Sequence, residues 1–350
     1  MNNSKKKYIL ISAGGTAGHV LPAIEVAKEF YSRGYLVSFF TDSRMYKNIK
    51  SKPNFINGEI KLFSIKGRGI DRTNIFKNII TLILMTIGIF QSFSRLIFIR
   101  PVIAIGFGGY ITVPVLLACY ILRVKIFIHE GNAILGKANK LLYKISKNLM
   151  THFPELKNID KKKVNYCFVG MPVRPEILDL YKLNYKVDKT INLLITGGSL
   201  GAGVMSLNIA QAIIRFPKDL KLRLRIVQQV RKEHIKELRN IYNINGIKAE
   251  LHIFINDMAK YLKWSNIVIC RCGASTIAEN LISGRPSIMI PFAQSAENHQ
   301  FLNSKLVENK GAGWIITEDK LQDVGELHNK LISIIKNTRK LFDASKLAKK

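Results

Sequence analysis

Two glycine-rich segments lie where each could bind a phosphate group. The first, AGGTAGH at residues 13–19, follows a short apolar run, and the second, GGSLGAG at residues 197–203, follows another. A glycine loop between a strand and a helix presents backbone N–H groups and the positive end of the helix to an anion. Neither segment has the complete G-x-G-x-x-G pattern of a dinucleotide site. Together they predict a donor that carries a diphosphate, and they would suit an acceptor that carries one too.

His19 closes the first loop at the start of the predicted helix. A general base for a sugar hydroxyl must titrate near neutral pH, and histidine does so without a large perturbation. His19 is therefore a candidate base, although a histidine at this place can equally make a polar contact to its own loop. GFGGY at residues 106–110 and HEGN at residues 129–132 also follow apolar runs. Open α/β sheets bind ligands at the carboxyl ends of their strands, so we expect these segments near the same site.

Two segments of the second half carry groups suited to a nucleotide sugar. In CGASTIAE, residues 272–279, Glu279 could accept hydrogen bonds from both hydroxyls of a ribose. The spacing of Thr276 and Glu279 also matches a helix capping box, which is the structural alternative. The segment 291–303 is rich in amides and ends in ENHQ-x-x-N. Amide side chains donate and accept, as sugar hydroxyls require, whereas the alternative is a solvated loop that runs into a helix.

These segments belong to a regular alternation of apolar runs and helical patterns. A strand, a glycine loop and a helix open the chain, and the same unit begins again half a chain later. The repetition predicts an α/β protein with two Rossmann-like domains, a linker at 169–175 and a ligand cleft between the domains. The predicted strands are 8–12, 35–41, 102–105, 125–128, 191–196, 222–228, 267–271 and 287–291, and the predicted helices are 22–32, 204–216 and 275–283.

The composition, charge and cysteine count exclude several classes of protein. The 350 residues include 54 Lys and Arg against 24 Asp and Glu, a formal net charge of +30, and 47% are hydrophobic, which excludes a mainly disordered chain. A nucleic-acid-binding protein is one interpretation of the charge, and lysine spread over a solvated surface is the one that we favour. Four cysteines are too few for a disulfide scaffold, and no second pair completes a metal site with Cys270 and Cys272. Residues 1–7 are polar and basic, so no secretory signal is expected.

One segment, residues 79–90, is apolar throughout and lies among cations. Residues 66–100 contain six Lys and Arg and one Asp, and residues 123–147 contain six more with Glu130 as the single acid. The apolar stretch falls short of the ~20 residues of a transmembrane helix because polar residues interrupt it from Gln91 onward. It predicts either a helix that enters an anionic membrane surface or a buried helix of the first domain.

Seven segments in order over nearly the whole chain resemble the MurG family of bacterial glycosyltransferases: AGGTAGH, GFGGY, HEGN, VGMPVR, GGSLGA, CRCGASTIAE and ENHQ-x-x-N. Each is weak alone, but the set in this order and spacing is specific. The resemblance implies a GT-B fold, in which two Rossmann-like domains with parallel sheets face each other across a cleft. It implies an inverting transfer of GlcNAc from UDP-GlcNAc to the MurNAc 4-hydroxyl of undecaprenyl-diphospho-MurNAc-pentapeptide (lipid I), which gives lipid II for peptidoglycan.

The resemblance also implies partners and a location. No cofactor, no metal and no nucleic acid is expected. The expected partners are UDP-GlcNAc, lipid I, an anionic membrane surface and other proteins of cell-wall synthesis, and the place is the cytoplasmic face of the bacterial inner membrane. Residues 1–173 would form the acceptor domain, which also meets the membrane, and 174–334 the UDP-GlcNAc domain. Residues 335–350 would form a helix that packs back on the N-terminal domain.

By motif position, the resemblance assigns residues to each substrate. Glu279 would hold the ribose, Ile255 would meet uracil through its backbone, and Gln300 would contact the GlcNAc hydroxyls. The whole donor set is Thr16, Ala17, Gly18, Asn132, Arg174, Ser199, Ile255, Ala274, Ser275, Thr276, Ile277, Ala278, Glu279 and Gln300, and the acceptor side is Gly14, Gly15, Gly108, Gly109 and Tyr110. The chain departs from the usual family pattern at Ala17, Gly131, Met171 and Leu200. These departures put in question the fine specificity for donor and acceptor, but not the reaction.

The chemistry of such a transfer fits these residues. Negative charge develops on the β-phosphate of UDP as the anomeric C–O bond breaks, and backbone donors at the second glycine loop can stabilise it. His19 is the preferred base and Glu130 the main alternative. Another GT-B transferase or a UDP-sugar epimerase is the nearest alternative function, and a nicotinamide-dependent oxidoreductase would instead place Asp42 on a ribose.

Overall fold

The structure is a computed structural model that describes residues 7–69, 75–157, 159–160, 164–197 and 202–350. It consists of two compact units, Met1–Val173 and Arg174–Lys350. The predicted donor residue Ser199 and the departing residue Leu200 lie outside the described residues.

In the first unit, strands alternate with helices. The strands are β1 (Tyr8–Ser12), β2 (Leu36–Thr41), β3 (Ile60–Ser64), β4 (Ile103–Gly106), β5 (Lys125–Glu130), β6 (Asn148–Thr151) and β7 (Asn165–Phe168), and the helices are α1 (Ala17–Ser32), α2 (Ser43–Ile49), α3 (Pro53–Ile56), α4 (Ile75–Ile99), α5 (Thr112–Ile121) and α6 (Lys137–Leu142). Within the described residues the strands form one parallel sheet in the order β3-β2-β1-β4-β5-β6-β7. The order reverses between β1 and β4, and such a switch point is where open α/β sheets bind ligands.

The apolar run of β1 is buried on both faces of this sheet. Ile9 and Ile11 belong to the cluster of buried side chains that includes α1, whereas Leu10 belongs to the cluster that includes α5. Successive side chains of a strand point to opposite faces, so a strand covered on both sides is apolar without interruption. This is why the strand was predictable from a short run of sequence.

The second unit repeats the topology of the first. The strands are β8 (Ile191–Thr196), β9 (Leu224–Gln229), β10 (Lys248–His252), β11 (Ile267–Cys270), β12 (Ser287–Met289) and β13 (Gly313–Ile315), and the helices are α7 (Pro175–Leu178), α8 (Ala202–Ile214), α9 (Lys218–Arg223), α10 (Ile235–Ile244), α11 (Met258–Trp264), α12 (Ala274–Ile282), α13 (His299–Asn309), α14 (Glu318–Gln322), α15 (Val324–Ile335) and α16 (Thr338–Ala348). The described strands form a parallel sheet in the order β10-β9-β8-β11-β12-β13, which reverses between β8 and β11.

Helix α1 begins earlier than the sequence predicted. It starts at Ala17, with Thr16 as an extended N-cap residue, and Pro22 lies inside it. Proline is most common at the first helical position, which is why the prediction began at Pro22. Because proline has no backbone N–H, α1 lacks one backbone hydrogen bond at Pro22. As a result, His19 lies within the first turn of the helix.

Helix α4 is longer than the predicted apolar segment 79–90, so the prediction that the segment falls short of a transmembrane length is wrong. It runs from Ile75 to Ile99, and the part from Asn78 to Ile99 is long and apolar enough to cross a membrane by length and composition. Gln91 and Ser92 do not interrupt the helix because their side chains are hydrogen-bonded. Ser92 is buried and its hydroxyl donates to the carbonyl of Gly88, one turn earlier in α4, at 2.7 Å, and Oε1 of Gln91 accepts from the N–H of Lys66 at 2.9 Å. The outward face is apolar, with exposed residues Phe76, Ile79, Ile80, Leu82, Ile83, Phe90, Ile97 and Phe98.

Residues 335–350 were expected to form a helix on the N-terminal domain. They contain α16, which packs against α12 and α15 of the second unit. The hydroxyl of Ser345 donates to the carbonyl of Gly284 at 2.7 Å. The contacts described for α16 are thus with the second unit, and packing on the first stays a prediction.

Candidate active site

The first glycine loop lies at the switch point of the first sheet, directly after β1. Gly15 has a φ of +81°, and its N–H donates to Oδ2 of Asp42 at 2.8 Å. Oδ1 of Asp42 accepts from the N–H of Met45 at 3.0 Å and so caps α2. Arg44 donates from Nη2 to the carbonyl of Gly15. Because backbone N–H groups bind both oxygens of this buried carboxylate, Asp42 holds the loop and is not offered to a ribose, which disfavours the oxidoreductase.

His19 turns one ring nitrogen toward this loop. Nδ1 lies 3.2 Å from the carbonyl oxygen of Gly14 and 3.3 Å from Oγ1 of Thr16. A neutral imidazole that donates from Nδ1 to a carbonyl has its basic lone pair on Nε2. The predicted contact of His19 with its own loop is thus present through one nitrogen, and its role as a base, which would use the other nitrogen, stays a prediction.

The turn after β4 packs directly against the first loop. Gly108 and Gly109 have φ values of +90° and +83°. A Cβ on Gly108 would lie 3.3 Å from Nε2 of His19, and one on Gly109 would overlap the backbone carbonyl of Gly14. Only glycine combines these φ values with so close an approach. The structure thus brings the predicted acceptor-side glycines and the predicted base together.

Tyr110 completes this group beside Gly15. A Cβ on Gly15 would lie 3.7 Å from Cε1 of the tyrosine ring. Burial raises the pKa of Tyr110, and the Asp42 carboxylate acts in the same direction. The phenol is therefore neutral at physiological pH and can donate a hydrogen bond to an anionic acceptor.

Glu130, the alternative base, is 2% exposed at the end of β5. Oε1 accepts from the backbone and side-chain N–H groups of Asn132 at 2.9 and 3.1 Å. Oε2 accepts from the N–H of Gly136 at 2.8 Å and from the side-chain amide of Asn139 at 2.9 Å. These four bonds shape the turn 131–139 and engage the carboxylate, which favours His19 of the two predicted bases; the catalytic role of either stays a prediction. Asn139 was missed because a single amide in a short helix carries no sequence signal.

His129 is a second residue that the sequence did not assign to a function. It is 3% exposed, its ring packs on Phe107 with centroids 5.0 Å apart, and its Nε2 lies 2.9 Å from the carbonyl oxygen of Gly170. Burial lowers the pKa of His129. The ring thus stays neutral and ties the end of β5 to the VGMPVR segment.

In the second unit, helix α12 begins directly after β11 with no side-chain cap. Gly273 is the N-cap residue, so Thr276 lies within the first turn and the predicted capping box is wrong. The reason is that the extended backbone of Gly273 starts the helix earlier than the Thr276 spacing required. An uncapped helix start leaves N–H groups for an anion. Ala274, Ser275 and Thr276 are partly exposed there.

Two of the predicted donor residues of this helix are buried. Ile277 and Ala278 are 2% and 3% exposed, so a ligand could contact them only through their backbone. Ile255 is similar at 5%, and it follows β10 between residues that are more exposed. Its burial is compatible with the predicted backbone contact to uracil, which stays a prediction.

Arg174 and Glu279, 105 residues apart in the chain, form an ion pair. Nη2 of Arg174 lies 3.2 Å from Oε1 of Glu279, and the side chains are 30% and 18% exposed. Burial raises the pKa of Glu279, and the guanidinium of Arg174 opposes that rise. The structure thus brings together two residues of the predicted donor set, a carboxylate and a cation.

Gln300 lies in the first turn of α13, after two residues in the left-handed region, Glu297 and Asn298. Its Oε1 accepts from the N–H of Cys272 at 3.2 Å and from the N–H of Phe292 at 3.0 Å. The carbonyl therefore fixes the ends of β11 and β12, and the amide nitrogen is the group that suits a sugar hydroxyl.

Arg271 stabilises the same edge of the sheet and was not singled out in the sequence. Its Nη2 lies 2.5 Å from Oε1 of Glu318, and Nη1 donates to the carbonyl of Ile290 at 3.2 Å. The other oxygen of Glu318 accepts from the N–H of Ala293 at 2.9 Å. The ion pair links the segments that follow β11, β12 and β13. In the described parts of both units, no group of three or more His, Cys, Asp or Glu could hold a metal ion.

Comparison with known proteins places this geometry in a family. The models of the N-terminal and C-terminal domains of glycosyltransferase family 28 match residues 9–151 and 192–350. Two similar proteins carry the name UDP-N-acetylglucosamine–N-acetylmuramyl-(pentapeptide) pyrophosphoryl-undecaprenol N-acetylglucosamine transferase. That of Paramagnetospirillum magneticum is 35% identical over 321 residues, 91% of this chain and 85% of its own. That of Rickettsia canadensis is 35% identical over 342 residues, 97% and 94% of the two chains.

A solved structure agrees with the predicted fold. The crystal structure of Acinetobacter baumannii MurG matches with a TM-score of 0.76 at 24% identity, over 98% of this chain and 94% of that one. The prediction of a GT-B protein built from two Rossmann-like α/β domains is confirmed, whereas the cleft between them stays a prediction. With 35% identity over most of both chains and both domain models matched, the chain belongs to glycosyltransferase family 28, in its MurG branch.

Proposed function

We propose that the protein is an N-acetylglucosaminyltransferase that moves GlcNAc from UDP-GlcNAc to the MurNAc 4-hydroxyl of undecaprenyl-diphospho-MurNAc-pentapeptide, with inversion. One observation carries the proposal. The segments predicted to bind substrate follow β1, β4, β5, β10 and β11, so they lie at the carboxyl ends of strands in both sheets. Those ends are where α/β proteins bind nucleotides and their partners.

The second unit is suited to the donor. The uncapped start of α12 offers backbone N–H groups to phosphate, and Arg174 supplies a positive charge beside it. Glu279 would accept from the ribose hydroxyls, and the side-chain amide of Gln300 would donate to the sugar. Ser199 in the second glycine loop would bind the diphosphate. Fixed N–H donors and Arg174 would stabilise the charge that develops on the leaving UDP.

The first unit is suited to the acceptor and the base. The 4-hydroxyl oxygen would attack the anomeric carbon from the face opposite UDP, its proton would pass to Nε2 of His19, and UDP would leave with the electron pair of the broken C–O bond. The bond from Nδ1 to the Gly14 carbonyl supports this assignment because it sets the tautomer. Glu130 would shape the neighbouring turn without exchanging a proton.

Helix α4 supports a peripheral position on an anionic membrane. A Cβ on its Gly88 would overlap the carbonyl oxygen of Lys66 and lie 3.2 Å from Cβ of Pro114 in α5, so one side of the helix packs on the first unit. The opposite side exposes Phe98 at 86%, Phe76 at 74% and Phe90 at 70%. A helix packed along one side on a folded domain would lie in the membrane interface and not cross it. The cytoplasmic face of the bacterial inner membrane is where UDP-GlcNAc and lipid I would meet.

The decisive test is transfer of labelled GlcNAc from UDP-GlcNAc to a lipid I analogue. We expect a lipid II analogue with the inverted anomeric configuration. Thermal unfolding in the presence of UDP-GlcNAc, NAD or RNA separates the alternative classes, since UDP-GlcNAc alone should raise the unfolding temperature. Binding of UDP-GlcNAc without transfer to the lipid analogue would refute the proposed acceptor and leave the donor assignment.

A further inference from the structure

Three side chains outside the predicted site form a hydrogen-bonded cluster where β10 ends. Oε1 of Glu250 accepts from the hydroxyl of Tyr261 at 2.7 Å and lies 2.7 Å from Nε2 of His252. The Tyr261 hydroxyl is 3.1 Å from the same nitrogen, and the two rings are in contact, with centroids 5.4 Å apart and planes tilted by 58°. Glu250 and His252 are two residues apart on one strand and therefore share a face of the sheet.

The cluster connects the two ends of the loop 253–257. His252 is the last residue of β10 and Tyr261 lies in the first turn of α11, so the loop that carries Ile255 runs between them. Ile253 and Phe254 are 54% and 68% exposed, which leaves the buried side chain of Ile255 as the apolar anchor of this stretch.

Among the hydrogen bonds described for the loop 253–257, few others restrain its position relative to β10. The side-chain amide of Gln229 donates to the carbonyl of Ile253 at a long 3.4 Å. Asp257 caps α11 by accepting from the N–H of Lys260 at 2.9 Å. A loop with little buried apolar surface takes its position from its ends. The bonds among Glu250, His252 and Tyr261 hold those ends at a set separation.

We propose that Glu250, His252 and Tyr261 are positioning residues for the nucleobase of the donor. They hold the loop 253–257 so that the backbone of Ile255 is presented to the uracil. This role rests on the proposed function, because it requires that the second unit binds UDP-GlcNAc. It affects donor affinity and leaves the chemical step unchanged, since none of the three touches the reacting atoms.

Tyr261→Phe tests the role because it removes the hydroxyl and keeps the ring. Because the variant loses one ordinary hydrogen bond, we expect the KM for UDP-GlcNAc and the Kd for UDP to rise roughly three- to tenfold, and kcat to stay within about twofold of wild type. Glu250→Gln keeps an acceptor oxygen and should remain near wild type, whereas Glu250→Ala should match Tyr261→Phe. The matched control is Tyr185→Phe, which removes a hydroxyl that donates to the carbonyl of Asn266 at 2.7 Å elsewhere in the same unit.

The outcomes separate this role from stability and from the proposed function. A raised donor KM in Tyr261→Phe but not in Tyr185→Phe supports the role. An unchanged donor KM in Tyr261→Phe, or a fall in kcat in place of a rise in KM, overturns it, even if the unfolding temperature falls. If the wild-type protein itself does not bind UDP, the proposed function fails and the positioning role fails with it.

Discussion

Gly109→Ala tests whether the contact between the first glycine loop and the turn after β4 sets the catalytic geometry. Alanine at the φ of +83° costs about 1–2 kcal/mol. Its Cβ would overlap the carbonyl oxygen of Gly14 and lie 2.8 Å from the carbonyl carbon, whereas ordinary contacts begin at 3.4 Å, so the two loops must separate by more than the roughly 0.6 Å that the carbon alone requires. Because this shift acts on the loop that binds His19, we expect kcat for GlcNAc transfer to fall about 10- to 100-fold.

Gly34→Ala is the matched control for this variant. Gly34 has a φ of +86°, and a Cβ there would meet nothing within 4 Å. It should lose the same 1–2 kcal/mol or so of stability in thermal unfolding and keep its turnover. UDP binding should be normal in Gly34→Ala, and in Gly109→Ala it should fall far less than turnover, because Arg174, Ile255 and Glu279 of the second unit are untouched and only Thr16, Ala17 and Gly18 of the predicted donor set lie in the displaced loop. If Gly109→Ala, shown to be folded by circular dichroism, transfers GlcNAc within twofold of wild type, the argument that this contact sets the geometry is wrong.

Three further predictions concern the base, the ribose contact and the membrane helix. His19→Ala should retain UDP binding by calorimetry and lose about 10²- to 10⁴-fold in turnover, and near-normal turnover would assign the base to another group. Glu279→Ala should weaken UDP-GlcNAc binding about 10- to 100-fold and so remove its thermal protection, which full protection in this variant would contradict. Replacing exposed Ile83 and Phe90 by serine should reduce flotation with anionic vesicles, whereas Leu222→Ser, at a site of the second unit that is 62% exposed, should not. Equal flotation of all these proteins would place the membrane contact elsewhere.

Much of the fold was predictable because its signals are local. A buried parallel strand is a continuous apolar run, and the first glycine loop follows β1 directly in the chain, so β1, β8 and this loop could be located from short segments. Helix boundaries were less accurate. The starts of α1 and α12 depend on backbone turns at Thr16 and Gly273 that no residue preference determines alone.

The roles of the carboxylates were not predictable in the same way. Asp42, Glu130 and Glu279 each follow or lie near a strand end, and the sequence allowed a ligand role for all of them. In the structure, Asp42 accepts one backbone N–H on each oxygen and Glu130 accepts four N–H groups, while Glu279 pairs with Arg174 from a distant part of the chain. The available lone pairs of a carboxylate depend on its neighbours in space, and those neighbours are not adjacent in sequence.

The sequence by itself determined the family, the two Rossmann-like domains and the segments that carry the chemistry, because each depends on residue types at close spacing. Only the tertiary structure decided how those segments are used. It surrounded the Glu130 carboxylate with four N–H donors, placed His19 against its own loop, turned the apolar face of α4 outward and joined β10 to α11 through Glu250, His252 and Tyr261. Burial and hydrogen bonding between distant residues select among the chemical options that the sequence leaves open.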